Sequence, residues 1–120
     1  MTAVLRNKAT QKVLRTNLYW HVYTLDTDGS GYEKWKFIRQ TDGTYALRNV
    51  ANSYTLVVID NKVQIARFDG YAYQKWEIHR QNDGSYVLQN QGTSRILDSN
   101  IITMANSDIS DNQKWFLEEK

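Results

Sequence analysis

Three segments of this sequence follow one pattern, in which a lysine precedes a tryptophan and an apolar residue stands two positions after that tryptophan. The segments read YEKWKF, YQKWEI and NQKWFL and occupy residues 32–37, 73–78 and 112–117. Their tryptophans, Trp35, Trp76 and Trp115, are separated by 41 and then 39 residues. Self-similarity at such a period is the signature of a repeat architecture. The chain must therefore fold as three similar units.

Other positions recur in the same register. A leucine two residues before an asparagine returns at intervals of 42 and 41 residues, as Leu5, Leu47 and Leu88. Nine residues further on stand Leu14, Leu56 and Leu97, and thirteen residues before the tryptophans stand Val22, Val63 and Ile102. We expect these residues and the tryptophans to form one shared core. The expected organisation is a single domain over 1–120, with repeats at approximately 2–41, 42–82 and 83–120.

The pattern inside each repeat favours β-structure. Apolar and polar residues alternate in Tyr45–Asn49 and Trp76–Arg80, and no apolar period of 3.6 residues is long enough for a helix. The pairs Asp42-Gly43 and Asp83-Gly84 predict hairpin turns. Three units are too few for a propeller. The prediction is an all-β chain, a β-trefoil with about four strands per repeat and pseudo-threefold symmetry, whose termini meet where a third turn would stand.

Composition argues against several classes of function. The net charge of +2 is too small to indicate nucleic-acid binding, and the longest apolar run, Leu56 to Ile59, is too short for membrane insertion. The chain has no cysteine, and His21 and His79 are isolated in sequence. No nucleophile–base pair or pair of carboxylates recurs. We therefore expect no enzyme activity, no metal site and no cofactor.

Several motifs resemble those of a known family. The sequence has RNKAT at 6–10, VYTL at 22–25, ILDSN at 96–100 and NQKW at 112–115. With a Gln-x-Trp element in two of its three repeats, it resembles the ricin-type (R-type) β-trefoil lectins, and most closely the actinohivin-like lectins, which bind high-mannose glycans. The resemblance implies a non-enzymatic, secreted lectin whose partners are glycans or glycoproteins, although no signal peptide is present.

The resemblance also implies one shallow sugar site per repeat. Such a site uses an Asp after the second leucine, an Asn seven residues before the tryptophan, a Tyr-Leu platform and a second Tyr. A carboxylate accepts hydroxyl hydrogen bonds, and a ring packs on the C–H face of a pyranose. In the first repeat the matching residues are Tyr23, Leu25, Tyr32, Arg15 at the Asp position and Asp28 at the Asn position.

The other two repeats depart further from the pattern. The second keeps Asp69 and Tyr73, but Val57 replaces the Asp, and Gln64 and Ala66 replace the platform. The third has Asp98, Asn100 and Asp108, but Thr103, Ala105 and Asn112 replace the rings, and it is three residues shorter than the first repeat between Leu97 and Ile102. Asn112 is still a candidate contact. No repeat keeps the full set, so we expect partly degenerate sites, and a mannose specificity is implied only by the resemblance.

Three alternatives stay open from the sequence. Arg15 and Asp28 either form an internal ion pair that closes the first site or adapt it to a charged glycan. Asp28, Asp69 and Asp108 either contact ligand or cap turns. The rings of Tyr19 and Trp20 either wall the first site or contact a protein, or Trp20 folds onto the barrel. An alternative function follows, a trefoil that has lost sugar binding and serves as a protein-interaction or toxin receptor-docking module.

Overall fold

The computed structural model describes residues 1–17, 19–99, 103–105 and 110–120, with backbone only for 103–105. These residues form strands and three short 3-10 helices, Gly31–Glu33, Ala72–Gln74 and Asp111–Gln113. The strands are β1 Thr2–Asn7, β2 Val13–Thr16, β3 Val22–Leu25, β4 Trp35–Arg39, β5 Tyr45–Asn49, β6 Thr55–Ile59, β7 Lys62–Ala66, β8 Trp76–Arg80, β9 Tyr86–Asn90, β10 Ile96–Asp98, β11 Thr103–Ala105 and β12 Trp115–Glu119. No described helix is long or apolar enough to cross a bilayer.

Six strands close into an antiparallel barrel. β1 pairs with β12 and β4, β5 pairs with β4 and β8, and β9 pairs with β8 and β12. The other six strands form the hairpins β2–β3, β6–β7 and β10–β11. This is the topology of a β-trefoil with pseudo-threefold symmetry, as the repeat predicts. We call β1–β4, β5–β8 and β9–β12 the first, second and third lobes.

The recurring leucines and tryptophans fill the centre of the barrel. All six leucines and all three tryptophans are fully buried. The indole Nε1 atoms of Trp35, Trp76 and Trp115 donate to the carbonyl oxygens of Leu14, Leu56 and Leu97, at 3.0, 3.2 and 3.2 Å. A buried indole N–H needs such a partner. Val63 is buried too, Val22 is only partly buried, and Ile102 lies outside the described residues.

The two Asp-Gly turns adopt the conformation that their sequence indicates. Gly43 and Gly84 have φ values of 86° and 85°, which glycine adopts without steric cost. The Asp42 carboxylate accepts the backbone N–H of Thr44 at 3.0 Å. At the third position the chain ends meet instead, because β1 pairs with β12 and the Lys120 N–H donates to the Thr2 carbonyl at 2.8 Å.

Candidate functional site

The strand register makes one position in each outer hairpin equivalent. Arg15 lies opposite Tyr23 in the first lobe, Val57 opposite Gln64 in the second, and Asp98 opposite Thr103 in the third. Each follows a fully buried leucine, so its side chain lies on the outer side of the hairpin. The three lobes thus present a cation, an aliphatic group and a carboxylate at one geometric position.

In the first and second lobes, the residue two positions before the tryptophan shapes the loop that carries the predicted aspartate. Gln74 is buried, donates through Nε2 to the Arg67 carbonyl at 2.6 Å and accepts the Asp69 N–H at 2.6 Å. Glu33 accepts the N–H groups of Asp28 and Gly29 at 2.7 and 3.1 Å, and also the Thr27 hydroxyl. A carboxylate has no N–H to donate, so Thr27 supplies the donor where glutamine would have supplied its own.

A buried asparagine from the following lobe holds the residue on the other side of each site. Asn49 and Asn90 donate through Nδ2 to the carbonyl oxygens of Tyr32 and Tyr73, both at 3.0 Å. The equivalent Asn7 donates to the carbonyl of Asn112 at 2.9 Å. The recurrent Leu-x-Asn motif marked these asparagines as part of the repeat, but their bonding partners follow only from the packing between lobes.

The first lobe contains a shallow hollow of 310 Å³, which we call the first hollow. It is lined by Arg15, Thr16, Asn17, Tyr19, Tyr23 and Tyr32. The structure therefore brings together the predicted Arg15, Tyr23 and Tyr32. Leu25, two residues along β3 from Tyr23, is 46% exposed and lies outside the residues that line this hollow.

An ion pair stands beside the first hollow. Nη2 of Arg15 lies 2.6 Å from Oδ2 of Asp28, and Oδ1 of Asp28 accepts the Ser30 N–H at 2.9 Å. The Ser30 N–H, and to a smaller extent the guanidinium, hold the pKa of Asp28 far below its usual range. The Nε of Arg15 is buried without a partner. The internal pair weighed from the sequence is thus formed, and Asp28 also caps a turn.

The second lobe contains a larger hollow of 710 Å³, which we call the second hollow. It is bounded by residues 57–60 and 71–74, together with Ala66 and Asp69. The predicted Asp69 and Tyr73 both line it. Asp69 caps its turn as Asp28 does, because its Oδ1 accepts the Tyr71 N–H at 2.9 Å. The exposed rings of Tyr71 and Tyr73 stand at one side.

In the third lobe, the segments that carry the predicted Asp98 and Asn112 are hydrogen-bonded to one another. Oδ2 of Asp98 accepts the Gln113 side-chain amide at 3.4 Å. Ser99 bonds to Asn112 twice, from its N–H to the carbonyl at 3.0 Å and from its hydroxyl to Oδ1 at 3.2 Å. Asn100 and Asp108, also predicted for this site, lie outside the described residues.

Some residues in and around the hollows were not identified from the sequence. Tyr71 and Gly92 carried no signal, although Gly92 occupies the repeat position of Ala51. Trp20 does not line the first hollow; its ring packs against that of Tyr54, with centroids 4.7 Å apart and ring planes inclined at 44°. His21 forms a backbone bridge to Gln64 and is not among the residues that line the first hollow.

Within the described parts of the chain, no group of three or more histidines, aspartates or glutamates is placed to hold a metal ion. The chemistry available in the hollows is that of hydrogen bonding and ring stacking. Carboxylates accept hydroxyl donors, the guanidinium donates, and half-exposed tyrosine rings offer flat apolar faces.

Comparison with known proteins adds a family and a fold. A family model described as ricin-type beta-trefoil lectin domain-like matches residues 31–109. No curated protein matches the sequence. The designed 3-fold symmetric protein ThreeFoil has a TM-score of 0.90 at 20% identity, over 99% of both chains. This match confirms the predicted β-trefoil.

Natural trefoils are similar as well. SeviL, solved bound to asialo-GM1 saccharide, has a TM-score of 0.84 at 20% identity, over 98% of this chain and 96% of its own. A mosquitocidal holotoxin has a TM-score of 0.90 at 18% identity, over 100% of this chain but only 16% of the toxin. At these identities the likeness establishes the fold alone.

Proposed function

The chain belongs to the ricin-type beta-trefoil lectin domain-like family, and we therefore propose that it is a non-enzymatic carbohydrate-binding module. The observation that carries the proposal is the pair of hollows at equivalent places in the first and second lobes, each bordered by the tyrosine whose carbonyl a buried asparagine holds. The partners would be glycans or glycoproteins.

In a lobe that keeps both a tyrosine ring and a carboxylate, as the second does, binding would rest on one polar and one apolar contact. A pyranose stacks its C–H face on a tyrosine ring while its hydroxyls donate to a carboxylate. Such shallow sites bind weakly, since hydroxyls must lose water for little buried area. Lobes acting together on a branched glycan raise the overall affinity.

We further propose that the sites have diverged and that the third lobe is the mannose-type site, as in the actinohivin-like lectins. Its Asp98 keeps the carboxylate at the position where the other lobes have Arg15 and Val57. Gln113 donates to this carboxylate, and the adjacent Ser99 donates to Asn112, so the two segments are joined at this place. The first hollow is degenerate because Arg15 and Asp28 satisfy one another.

A glycan array tests this proposal. The wild-type chain should bind mannose-terminated glycans, and Asp98→Asn should weaken that binding at least about ten-fold, since it removes a charge-assisted acceptor. Arg80→Ala, on an exposed part of β8, is the matched control and should bind as the wild type does. An array without any bound glycan would contradict the proposed function, whereas an unchanged Asp98→Asn variant would contradict only the third-lobe assignment.

One observation favours the alternative of a protein-docking module. Tyr19 is 73% and Trp20 49% exposed, and aromatic residues of this kind dominate protein interfaces. The holotoxin likeness shows that a large toxin carries a similar trefoil. The two functions separate on cells whose surface glycans have been removed enzymatically. Binding that persists there and is lost in Trp20→Ala would favour docking, and binding lost with the glycans would favour the lectin.

A further inference from the structure

The second hollow differs from the other two sites in its floor. Val57, only 6% exposed, stands at the position of Arg15 and Asp98, and Ala66 lies beside it. A sugar hydroxyl directed at these groups would lose its water and gain no hydrogen bond. A methyl group there would instead be removed from water on an apolar surface. The floor therefore favours a sugar with a methyl-bearing substituent.

The rim of the second hollow adds hydrogen-bond acceptors. The carboxylates of Asp60 and Asp69 line it, and among its described lining residues none is lysine or arginine. One oxygen of Asp69 accepts the Tyr71 N–H, and a carboxylate has further acceptor sites. A rim with two carboxylates and no cation among its described residues favours a ligand with N–H or O–H donors and repels an acidic sugar.

A stacking surface completes the second hollow. A Cβ on Gly92 would lie 2.6 Å from Cδ1 of Tyr73, so the tyrosine ring rests directly on the glycine backbone. The carbonyl oxygen of Tyr73 accepts a bond from Asn90, so both its backbone and its ring are held in place. The ring is 51% exposed and therefore free to pack on a sugar. Gly92 is a positioning residue for this ring.

We infer that the second hollow selects neutral N-acetylated hexosamines. The acetamido methyl packs on Val57 and Ala66, its N–H donates to the carboxylate of Asp69, and the pyranose face stacks on Tyr73. This inference rests on the proposed carbohydrate binding and names the sugar class for one lobe. The third lobe, with Asp98 at the floor position, would retain the preference for unsubstituted hexoses.

The test is a titration of the full chain, followed by amide NMR, with matched pairs of methyl glycosides: N-acetylglucosamine against glucose, and N-acetylgalactosamine against galactose. We expect shifts confined to residues around the second hollow and a dissociation constant about ten-fold lower for at least one acetamido sugar, the effect of one methyl in an apolar pocket. Equal affinities within both pairs, or shifts located elsewhere, would overturn the inference.

Two variants sharpen this test. Val57→Thr keeps the β-branched shape but places a hydroxyl in the floor, and it should reduce the acetamido preference to less than about three-fold. Gly92→Ala should weaken both sugars of a pair equally, because it displaces the Tyr73 ring without changing the floor. If Val57→Thr does not fold, the wild-type pairs decide alone. Mannose binding by the third lobe without acetamido selectivity would overturn this inference and leave the proposed function standing.

Discussion

The side-chain amide of Asn90, at the end of β9 in the third lobe, donates to the carbonyl oxygen of Tyr73 in the second lobe at 3.0 Å. Its Oδ1 also accepts the N–H groups of Gly92 and Thr93, both at 3.1 Å. One buried side chain thus joins two lobes and fixes the residue that borders the second hollow. The lobes are therefore coupled where their ligand-facing residues are placed.

This coupling predicts a stability cost. Asn90→Ala should lower the free energy of unfolding by about 1–3 kcal/mol, because buried donors and an acceptor lose their partners. Urea denaturation followed by tryptophan fluorescence measures the change. The neighbouring Gln91→Ala, which removes an exposed bond to Asp42, is the control and should cost less than about 0.5 kcal/mol. Equal effects of the two variants would contradict the coupling.

The hydrogen bonds of the buried indoles predict a second loss of stability on mutation. Trp76→Phe should destabilise the chain by about 2–4 kcal/mol, since it leaves a cavity and strands the carbonyl of Leu56. Trp20→Phe should cost less than about 1 kcal/mol, because half of that side chain is exposed and a phenyl ring can still stack on Tyr54. Thermal unfolding monitored by far-UV circular dichroism distinguishes them. A Trp76→Phe variant as stable as Trp20→Phe would be inconsistent with this core.

The turn at Gly84 predicts an effect of backbone conformation alone. A Cβ there meets no atom within 4 Å, so a substitution acts only through the positive φ of 85°. Gly84→Val should cost about 1–2 kcal/mol, the penalty of the left-handed region for an L-residue. Gly84→Asn should cost less, because asparagine tolerates that region. Denaturant midpoints that rank the two variants in the opposite order would show that the turn is not held in this conformation.

Acid pH should destabilise the fold through three aspartates. The Ser30 N–H lowers the pKa of Asp28, the Thr44 hydroxyl that of Asp42, and the Lys8 ammonium that of Asp83. Since the folded-state pKa is the lower one, their stabilisation is complete above the unfolded pKa near 4 and is lost progressively as the pH falls below it.

Melting temperatures between pH 6 and pH 2 measure this loss. The wild-type curve should decline below about pH 4, and Asp42→Asn should decline less steeply because one linked proton is removed. Glu77→Gln, on an exposed position of β8, is the control. A curve for Asp42→Asn that is parallel to the wild-type curve throughout would contradict the assignment.

The fold could be predicted from the sequence because the same pattern of residues is repeated along it. The recurring leucines and tryptophans predict a shared core, and the Asp-Gly pairs predict turns between strands. Both kinds of signal indicate the same fold. The twelve strands, the buried tryptophans and the meeting of the chain ends were predictable for this reason. Val22 is the departure, since it stays only partly buried.

The candidate site could be predicted from the sequence only in part. Arg15, Tyr23 and Tyr32 were predicted and do line one hollow, and Asp69 and Tyr73 line the other. Leu25, exposed at the end of β3, lies outside the lining of the first hollow, and its contact with a sugar stays a prediction. Asn100 and Asp108 stay predictions. Gly92 gave no signal, since its contact is with Tyr73 in the preceding lobe, and no repeated motif marked Tyr71.

The architecture can be predicted from the amino-acid sequence, because hydrophobic period and turn chemistry are local properties that recur in the repeats. The groups that each lobe exposes to a ligand, and the bonds that hold them, follow only from the tertiary packing. The pairing of Arg15 with Asp28, the seat of Tyr73 on Gly92 and the bond from Asn90 to Tyr73 join residues from separate strands and loops. Their distances are set by how the hairpins and lobes pack against one another, and no local pattern encodes such distances.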